Sequence, residues 1–337
     1  MSRRYYCTYF DHRYLLKGLA LHESLLRHAG DFSLFILCLS SECYEILSRL
    51  SLPRVRLISL AELERGDAEL LQAKGDRSLV EYYFTLTPSL PLYIFRLDPE
   101  VDLLTYLDSD LYFFADPEPL YEEIGENSVA LIGHRFPPHL KALESHGKYN
   151  VGWLSFRRDD QGLAGLKWYR KRCNEWCYDR VEEGRFADQK YLDYLPGKFS
   201  GVIELAHKGA NLAPWNIANY SLTRNAATVM IDEYPLIFYH FQGLKQIWGP
   251  IYDSGLFGYR AALSSLIREE IYKPYLASLI RQKQRLPYEL EEKKKLREEQ
   301  AAPGWLEAIR GLRRYSVKEL FKIIRLLTAN TYIFYSG

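Results

Sequence analysis

The stretch LLTYLDSD, residues 103–110, decides which fold the sequence predicts. Its first five residues are apolar and β-prone, which is typical of a strand buried on both faces. The strand ends in the acidic pair Asp108 and Asp110. Residues i and i+2 of an extended chain face the same side, so both carboxylates can reach one ion. Because hard cations such as Mg²⁺ favour one or two carboxylates plus substrate phosphates, the stretch predicts a divalent-cation site.

The segments on the amino-terminal side of this stretch alternate between predicted strands and predicted helices. Strands are predicted over 4–9, 32–39 and 55–60, and helices over 14–26, 42–50, 63–74 and 79–95, the last with interruptions at Pro88 and Pro91. A later helix is predicted over 163–182. Strands that alternate with helices predict an α/β layer sheet with parallel strands. Open sheets of this kind bind ligands beyond the carboxyl ends of their strands, where the acidic pair falls.

Composition limits the class of protein. The 337 residues carry 44 basic and 43 acidic side chains, a net charge of +1, which argues against a dedicated nucleic-acid binder. Five cysteines form an odd number without a paired framework, which is typical of a reducing cytoplasm. No apolar stretch approaches the roughly 18 residues needed to span a bilayer. We therefore expect a cytoplasmic protein that is soluble or peripheral at the inner face of the membrane.

The acidic pair also occurs in other site types. An Asp-x-Asp pair often only caps a turn. Phosphatases of the haloacid dehalogenase type place the same pair after a buried strand, but they expect Thr or Val where this chain has Tyr112. They also carry the pair near the amino terminus, whereas three predicted strands precede it here. No Walker or Gly-x-Gly-x-x-Gly motif is present, so the sequence does not support the ordinary modes of binding ATP or a dinucleotide.

Further motifs follow the acidic pair in a recognisable order. The chain resembles nucleotide-diphospho-sugar transferases of the GT-A fold, especially retaining glycosyltransferase family 8, over roughly residues 4–250. The family order is Asp-x-Asp, Asn-x-Gly, Asp-Gln and a late His-x-x-Gly with a following Lys. The matching residues in this sequence are Asp108, Asp110, Asn150, Gly152, Asp188, Gln189, His240, Gly243 and Lys245. The resemblance implies a Rossmann-like mixed sheet flanked by helices.

The late motif implies a third metal ligand and a phosphate contact. By resemblance, His240 joins Asp108 and Asp110 around Mn²⁺ or Mg²⁺, although a buried core histidine is the ordinary reading. Gly243 lets the backbone approach a phosphate closely, and Lys245 offers a positive charge to the departing diphosphate. The family usually places its Lys one residue later and follows it with Pro-Trp, so the contact of Lys245 departs from the pattern.

The middle motifs imply contacts with the donor sugar. Asn150 would bond sugar hydroxyls, and Ser109 and Gly152 would lie along the nucleotide sugar. Asp188 and Gln189 would lie beside the anomeric carbon, where either residue can stabilise an oxocarbenium-like transition state. The alternative for Asp188 is a helix N-cap, the commonest structural role of such a residue.

The amino-terminal half should bind the nucleotide. By resemblance, Thr8, Tyr9 and Asp11 at the end of the first strand would meet the base, and Arg77 would touch a phosphate or the donor. The stretch 207–216 is dense in hydrogen-bonding side chains beside a Trp, which suits a sugar of the donor or the acceptor. Its candidates are His207, Lys208, Asn211 and Trp215. A rigid loop built around Pro is the alternative.

The carboxyl-terminal part differs in pattern. We predict a GT-A domain over 1–257 and a helical extension over 258–337. The segment 290–300 is almost wholly charged, and 316–327 has an apolar stripe with cationic neighbours. Such a helix suits an anionic membrane surface, or it packs on the core or on a second subunit. The oligomeric state stays open.

Together these features predict a metal-dependent glycosyltransferase. It would move a sugar, a hexose by expectation, from a nucleotide diphosphate sugar to a glycan or lipid-linked glycan, with UDP favoured and configuration retained. A role in bacterial-type surface polysaccharide synthesis fits this chemistry. The alternatives are a non-catalytic carbohydrate-binding or scaffold protein on the same fold and, with less support, the phosphatase. A nucleotidyltransferase would need a Gly-rich amino-terminal loop that the chain lacks.

Overall fold

The structure of the chain is a computed structural model that describes residues 3–226, 228–286 and 331–336. The chain divides into two compact units, Met1–Gln242 and Gly243–Gly337. The domain boundary predicted after residue 257 falls inside the second unit, and it stays a prediction.

Two segments with predicted roles lie outside the described residues. They are the charged segment 290–300 and the amphipathic segment 316–327. The membrane-surface contact predicted for 316–327 therefore stays a prediction. Among the helices that the structure describes, none is both long enough and apolar enough to cross a bilayer.

Most strands of the first unit form along apolar stretches in which β-branched and aromatic residues favour extended backbone. The strands of this unit are β1 (Arg4–Phe10), β2 (Phe32–Cys38), β3 (Val55–Ser59), β4 (Leu103–Leu107), β5 (Leu111–Phe113), β6 (Val129–Gly133), β7 (Tyr149–Arg157), β8 (Val202–Leu205), β9 (Leu222–Asn225), β10 (Thr228–Ile231), β11 (Tyr234–Pro235) and β12 (Phe238–His240). Strand β9, in contrast, is polar and mostly exposed.

One large sheet organises this unit. Seven strands lie in the order β3-β2-β1-β4-β7-β6-β8. Strands β1 to β4 are parallel to their neighbours within that group, whereas β7 runs antiparallel to β4 and β6. A mixed sheet of this order confirms the predicted α/β class. Beside it, β5 pairs with β12, and β9 to β11 form a small antiparallel sheet.

Helices flank the sheet, as predicted. They are α1 (Leu15–His28), α2 (Ser41–Leu50), α3 (Leu60–Glu64), α4 (Ala68–Gly75), α5 (Leu79–Leu97), α6 (Glu118–Ile124), α7 (Asp160–Glu175) and α8 (Leu195–Lys198). Short 3₁₀ helices span Pro138–His146, Gln189–Tyr194 and Ile217–Asn219.

The single helix predicted over 63–74 is wrong, because two helices occupy this region. Gly66, with φ +77°, lies between α3 and α4. Ser59 caps α3 and Asp67 caps α4, each by accepting a hydrogen bond from the amide three residues later. Two N-caps so close together start two helices.

Helix α5 runs unbroken through Pro88 and Pro91, so the predicted interruption is also wrong. Each proline removes one backbone donor, but both are buried within the apolar body of the helix. A reciprocal capping box between Ser78 and Glu81 fixes the start of the helix. The helix predicted over 163–182 ends earlier, at Glu175.

The core holds the end of β4 in place. All five residues of β4 are buried, and Leu104 and Tyr106 belong to the same apolar cluster as Leu86 and Leu90 of α5. Burial on both faces explains why a run so rich in Leu precedes the acidic pair. Because β4 is packed on both faces, Asp108, which follows it directly, has a fixed position at the carboxyl edge of the sheet.

The second unit contains β13 (Lys245–Trp248), β14 (Ile251–Asp253), helix α9 (Lys273–Arg285) and β15 (Tyr332–Phe334). The three strands form an antiparallel sheet in the order β13-β14-β15. A purely helical extension over 258–337 is therefore wrong at β15, where the run Tyr-Ile-Phe favours a strand.

Candidate active site

The acidic pair lies in the tight turn between β4 and β5. The Leu111 amide donates to the carbonyl of Asp108 (3.2 Å), which reverses the chain. Strand β5 then pairs with β12, and Leu111 stands opposite His240 in that register. The amide of Phe241 donates to the carbonyl of Asp110 at 3.0 Å. The pairing of β5 with β12 therefore places His240 beside the turn, although it lies 130 positions after Asp110 in the sequence.

Asp108, Asp110 and His240 form a cluster of metal-ligand type. Each offers one ligand atom, and these atoms lie within 4.8 Å of one another. His240 Nε2 lies 3.1 Å from Asp110 Oδ1 and 3.7 Å from Asp108 Oδ2. Neighbouring ligands of an octahedral ion with bonds of about 2.1 Å are about 3 Å apart. The donor set of two carboxylates and one imidazole therefore fits a divalent cation, as the sequence predicts.

A cation of the protein also touches the cluster. Lys17 of α1 donates from Nζ to Asp110 Oδ2 at 3.3 Å. Burial alone would raise the pKa of Asp110, but Lys17 and His240 hold the pKa of its carboxyl well below its usual range. Lys17 is not among the site residues that the sequence motifs predict. Its position in the first turn of the helix that follows β1 could have indicated it, because that helix starts at the carboxyl edge of the sheet.

Charges within the cluster also shift the pKa values of Asp108 and His240. Burial raises the pKa of Asp108, and the charge of Asp110 adds to the rise. Burial alone would lower the pKa of His240, but the two carboxylates raise it above its ordinary value. Tyr106 donates to Asp108 Oδ1 at 2.9 Å. The site therefore concentrates negative charge in a buried place, which favours a bound cation.

Asn150 and Gly152 of β7 lie against His240. The amide of Gly152 donates to Asn150 Oδ1 at 3.0 Å, and His240 Nδ1 lies 3.3 Å from the same oxygen. A Cβ at position 152 would stand 2.5 Å from Asn150 Oδ1 and 2.9 Å from His240 Nδ1. Glycine is therefore needed here for close packing against the imidazole. Contacts of Asn150, Gly152 and Ser109 with a nucleotide sugar stay predictions.

Asp188 lies close to the cluster and is buried. Burial raises its pKa to about 7, and the charge of Asp108 contributes to the rise. It makes no side-chain capping bond to the 3₁₀ helix that follows, so the N-cap alternative is not what the structure shows. Gln189 donates from Nε2 to the carbonyl of His146 at 3.1 Å. The roles of Asp188 and Gln189 at an anomeric carbon stay predictions.

The predicted base-binding residues lie at the end of β1. Thr8 is fully buried, and Asp11 accepts hydrogen bonds from the amides of Arg13 and Tyr14 just before α1. The ring of Tyr9 packs at a tilt against that of Tyr106, with ring centroids 5.4 Å apart. Thr8 and Tyr9 thus lie on the strand next to β4, beside the metal-type cluster, and base contact stays a prediction.

Arg77 has a different environment from the one expected of a phosphate ligand. Its side chain is fully buried. The guanidinium donates to Thr85 Oγ1 of α5 and to the carbonyl of Asn174 in α7, both at 2.6 Å. It therefore ties two helices together in this structure. Its contact with a donor stays a prediction.

The stretch 207–216 is a support for the site and not an open sugar surface in this structure. Trp215 is buried and packs edge-on against His240, with ring centroids 5.1 Å apart. Asn211 is buried and donates to the carbonyl of Gly133. Lys208 pairs with Asp232 and Glu233, and the ring of His207 packs on Tyr234. Sugar binding by these four candidates stays a prediction.

Gly243 and Lys245 belong to the second unit. Gly243 has φ +81°, a backbone conformation that favours glycine. Lys245 is exposed on β13. Their predicted contact with a diphosphate stays a prediction.

Two bacterial proteins are similar to the chain in sequence, although no protein family model matches it. It is 34% identical to the uncharacterized protein YfnF of Bacillus subtilis (strain 168) over 248 residues, which cover 71% of this chain and 81% of YfnF. It is 31% identical to the uncharacterized protein YfnD of the same organism over 284 residues, which cover 83% of this chain and 90% of YfnD.

Solved structures extend the comparison. The bifunctional glycosyltransferase WbbM in its apo form matches with a TM-score of 0.51 at 17% identity, over 87% of this chain and 51% of that chain. The galactosyltransferase LgtC, solved with donor and acceptor sugar analogs, gives a TM-score of 0.49 at 16% identity, over 79% of this chain and all of LgtC. At 17% identity, the likeness to WbbM shows the fold alone.

Proposed function

Because the chain belongs to the protein family of YfnF and YfnD and has the GT-A fold of glycosyltransferases, we propose that it transfers a sugar from a nucleotide diphosphate sugar with the help of a divalent cation. The observation that carries this proposal is the cluster of Asp108, Asp110 and His240 at the carboxyl edge of the mixed sheet. Ligands of open α/β sheets bind at this edge.

The residues in and around the cluster would have different roles in such a site. Asp108, Asp110 and His240 would hold a divalent cation, which would neutralise charge on the leaving diphosphate. Lys17 contributes a second positive charge on the side of Asp110. The charge of Asp108 contributes to the raised pKa of the buried Asp188, and as a carboxylate Asp188 would stabilise positive charge on the sugar ring.

The finer parts of the proposal rest on the motif order. Asp-x-Asp, Asn-x-Gly, Asp-Gln and His-x-x-Gly resemble retaining glycosyltransferase family 8 in that order. On this basis we assign UDP as the nucleotide, Mn²⁺ or Mg²⁺ as the ion, a hexose as the transferred group and retention as the stereochemical outcome. A glycan or lipid-linked glycan acceptor and a place in surface polysaccharide synthesis, at the cytoplasmic side, complete the proposal.

A thermal-shift panel tests the central claim. UDP, GDP, dTDP and CMP are each added with Mn²⁺ or with EDTA, and the melting temperature is measured. One diphosphate, UDP by our assignment, is expected to raise the melting temperature by roughly 5 °C at about 100 times its Kd, and only with Mn²⁺. If no nucleotide gives metal-dependent stabilisation, the proposed function is wrong.

Lys17 is expected to bind the diphosphate rather than only Asp110. Lys17→Met should weaken UDP binding in Mn²⁺ by about tenfold, the value of one charge-assisted hydrogen bond. UMP lacks the second phosphate, so its affinity should change less. Binding of Mn²⁺ alone should stay equal or tighten, because a cation that competes for Asp110 is removed. Calorimetric titration measures all three affinities.

The exposed Lys167 of α7 provides the matched control, and Lys167→Met is expected to leave the three affinities unchanged. Equal losses for UDP and UMP in Lys17→Met would contradict a diphosphate contact. Loss of Mn²⁺ binding in the absence of nucleotide would instead assign Lys17 to maintaining the shape of the metal site.

A further inference from the structure

A chain of buried hydrogen bonds runs away from the metal-type cluster. His240 Nδ1 lies 3.3 Å from Asn150 Oδ1, and Asn150 Nδ2 lies 3.2 Å from His134 Nε2. His134 Nδ1 then lies 3.3 Å from the carbonyl oxygen of Lys148. His134, Asn150 and His240 are each at most 5% exposed. Polar groups buried this deeply must satisfy one another, so the direction of every bond matters.

One backbone amide sets the direction of the whole chain. The N–H of Gly152 can only donate, and it points at Asn150 from 3.0 Å. The atom of Asn150 that receives it must therefore be the oxygen, which fixes the orientation of the side-chain amide. His240 Nδ1 faces that same oxygen, so it must carry a proton. In the neutral imidazole, Nε2 is then left with a lone pair.

The other end of the chain agrees with this direction. The NH₂ group of Asn150 can only donate, so His134 Nε2 must accept, and His134 Nδ1 must carry the proton that faces the Lys148 carbonyl. A neutral ring is required for this arrangement. Burial lowers the pKa of His134 to about 3, so the ring is neutral at physiological pH.

The surroundings hold His134 in place. Trp215 Nε1 and Asn216 Nδ2 both donate to its carbonyl oxygen at 2.9 Å. Phe136 stacks on its ring at a centroid distance of 4.6 Å with an interplanar angle of 8°. The indole of Trp215 contacts the rings of both His134 and His240. The loop at 211–216 thus clamps both ends of the hydrogen-bond chain.

We propose that His134 is a positioning residue for the metal ligand His240. Through Asn150 it holds the imidazole of His240 as the Nδ1–H tautomer, with the Nε2 lone pair directed at Asp108 and Asp110. The Nε2–H tautomer, which prevails for free histidine in water, would place a hydrogen where a cation must bind. Partners of this kind orient metal-binding histidines and influence metal affinity strongly. The inference rests on the proposed function only in taking His240 as a metal ligand.

Metal affinity provides the first test. Mn²⁺ binding without nucleotide is measured by calorimetry for the full-length chain and for three variants. His134→Phe keeps an aromatic ring against Phe136 but removes the acceptor for Asn150, and its Kd should rise about 10- to 100-fold. His134→Gln returns an acceptor oxygen and should recover most of the affinity. The exposed His139 supplies the control, since His139→Phe should bind Mn²⁺ as the unchanged protein does.

The tautomer itself provides the second test. Nitrogen-15 NMR of histidine-labelled, metal-free protein at a pH where His240 is neutral should show Nδ1 protonated and Nε2 bare. His134→Phe should shift His240 toward a mixture of tautomers while the melting temperature in EDTA confirms a folded protein. An Nε2–H tautomer in the unchanged protein, or an unaltered Kd and tautomer in folded His134→Phe, would overturn the proposal. If the unchanged protein bound no Mn²⁺, the proposed function would fail, while the tautomer measurement would still decide this inference.

Discussion

Replacing Asp110 with Asn is expected to lower the turnover of sugar transfer about 10²- to 10³-fold. The carboxylate is buried and lies between His240 Nε2, at 3.1 Å, and Lys17 Nζ, at 3.3 Å. Asn retains the shape but loses the charge, so a divalent cation would keep one carboxylate instead of two. Metal-bound charge stabilisation is worth several kcal/mol in a transition state. Transfer from a UDP-sugar with saturating Mn²⁺ is the measurement.

Two further measurements separate loss of the metal from loss of the fold. The melting temperature in EDTA should fall little in Asp110→Asn, whereas stabilisation by UDP with Mn²⁺ should largely disappear. The exposed Asp179 offers a matched control, since Asp179→Asn removes an equal charge far from the turn in sequence. Full turnover in a folded Asp110→Asn would show that the acidic pair has another role.

The acidic pair could be predicted because its evidence is local. An apolar run of five residues becomes a buried strand, and the residues directly after it emerge at the edge where sheets bind ligands. The structure confirms the strand over Leu103–Leu107. His240 could be predicted only from the order of motifs. Its approach to the pair depends on β5, three residues long, and so short a strand carries too little periodicity to be recognised from sequence.

Residues whose role depends on long-range contacts were missed or assigned differently. His134 follows β6 directly, but nothing near it in the sequence indicates that its ring meets Asn150 from another strand. Lys17 lies at the start of the helix after β1, a position that points to the carboxyl edge of the sheet, but its pairing with Asp110 depends on the packing of α1 beside the β4 turn. A sequence shows the type and charge of a residue, but it does not show which distant residue its side chain contacts.

The loop at 211–216, which contains Trp215, shows how one composition can support two opposite interpretations. A Trp among hydrogen-bonding side chains suits a sugar, because an aromatic face stacks while polar groups bond. The same side chains suit a buried clamp, in which Nε1 finds a carbonyl and the ring packs on imidazoles. The structure shows the second arrangement, with Trp215 2% exposed. Only burial distinguishes the two, and the burial of Trp215 depends on its contacts with His134 and His240 from distant parts of the sequence.

Asp188 is expected to combine a large effect on turnover with an opposite effect on stability. Asp188→Asn should lower turnover about 10²- to 10³-fold, because a carboxylate that stabilises a positively charged sugar ring is replaced by a neutral amide. Nucleotide binding with Mn²⁺ should persist, since Asp188 is not one of the three metal-type ligands. This pattern would distinguish Asp188 from Asp110, whose replacement removes both properties.

The stability effect of Asp188→Asn follows from the pKa of Asp188, which burial raises to about 7 in the folded chain from an ordinary value of 3.8. The folded state therefore binds this proton more tightly than the unfolded state does. The group's contribution to stability is fully present below pH 3.8 and is lost as the pH rises through 7, by about 4 kcal/mol at most. Asn resembles the protonated form and does not titrate. The variant should thus match the original chain near pH 4 and exceed its stability increasingly toward pH 8.

Urea denaturation in EDTA at pH 5, 6, 7 and 8 measures this difference, with Asp179→Asn, the same change at an exposed position, as the control. A difference that stayed constant with pH would mean that Asp188 is ionised throughout this range in the folded chain. A buried carboxyl that lowers the stability of the folded state at neutral pH is typical of a catalytic residue. Active sites often place charged groups in buried positions, and this lowers the stability of the fold. Loss of turnover together with gain of stability would assign Asp188 to the reaction. Loss of both would assign Asp188 a structural role in the fold.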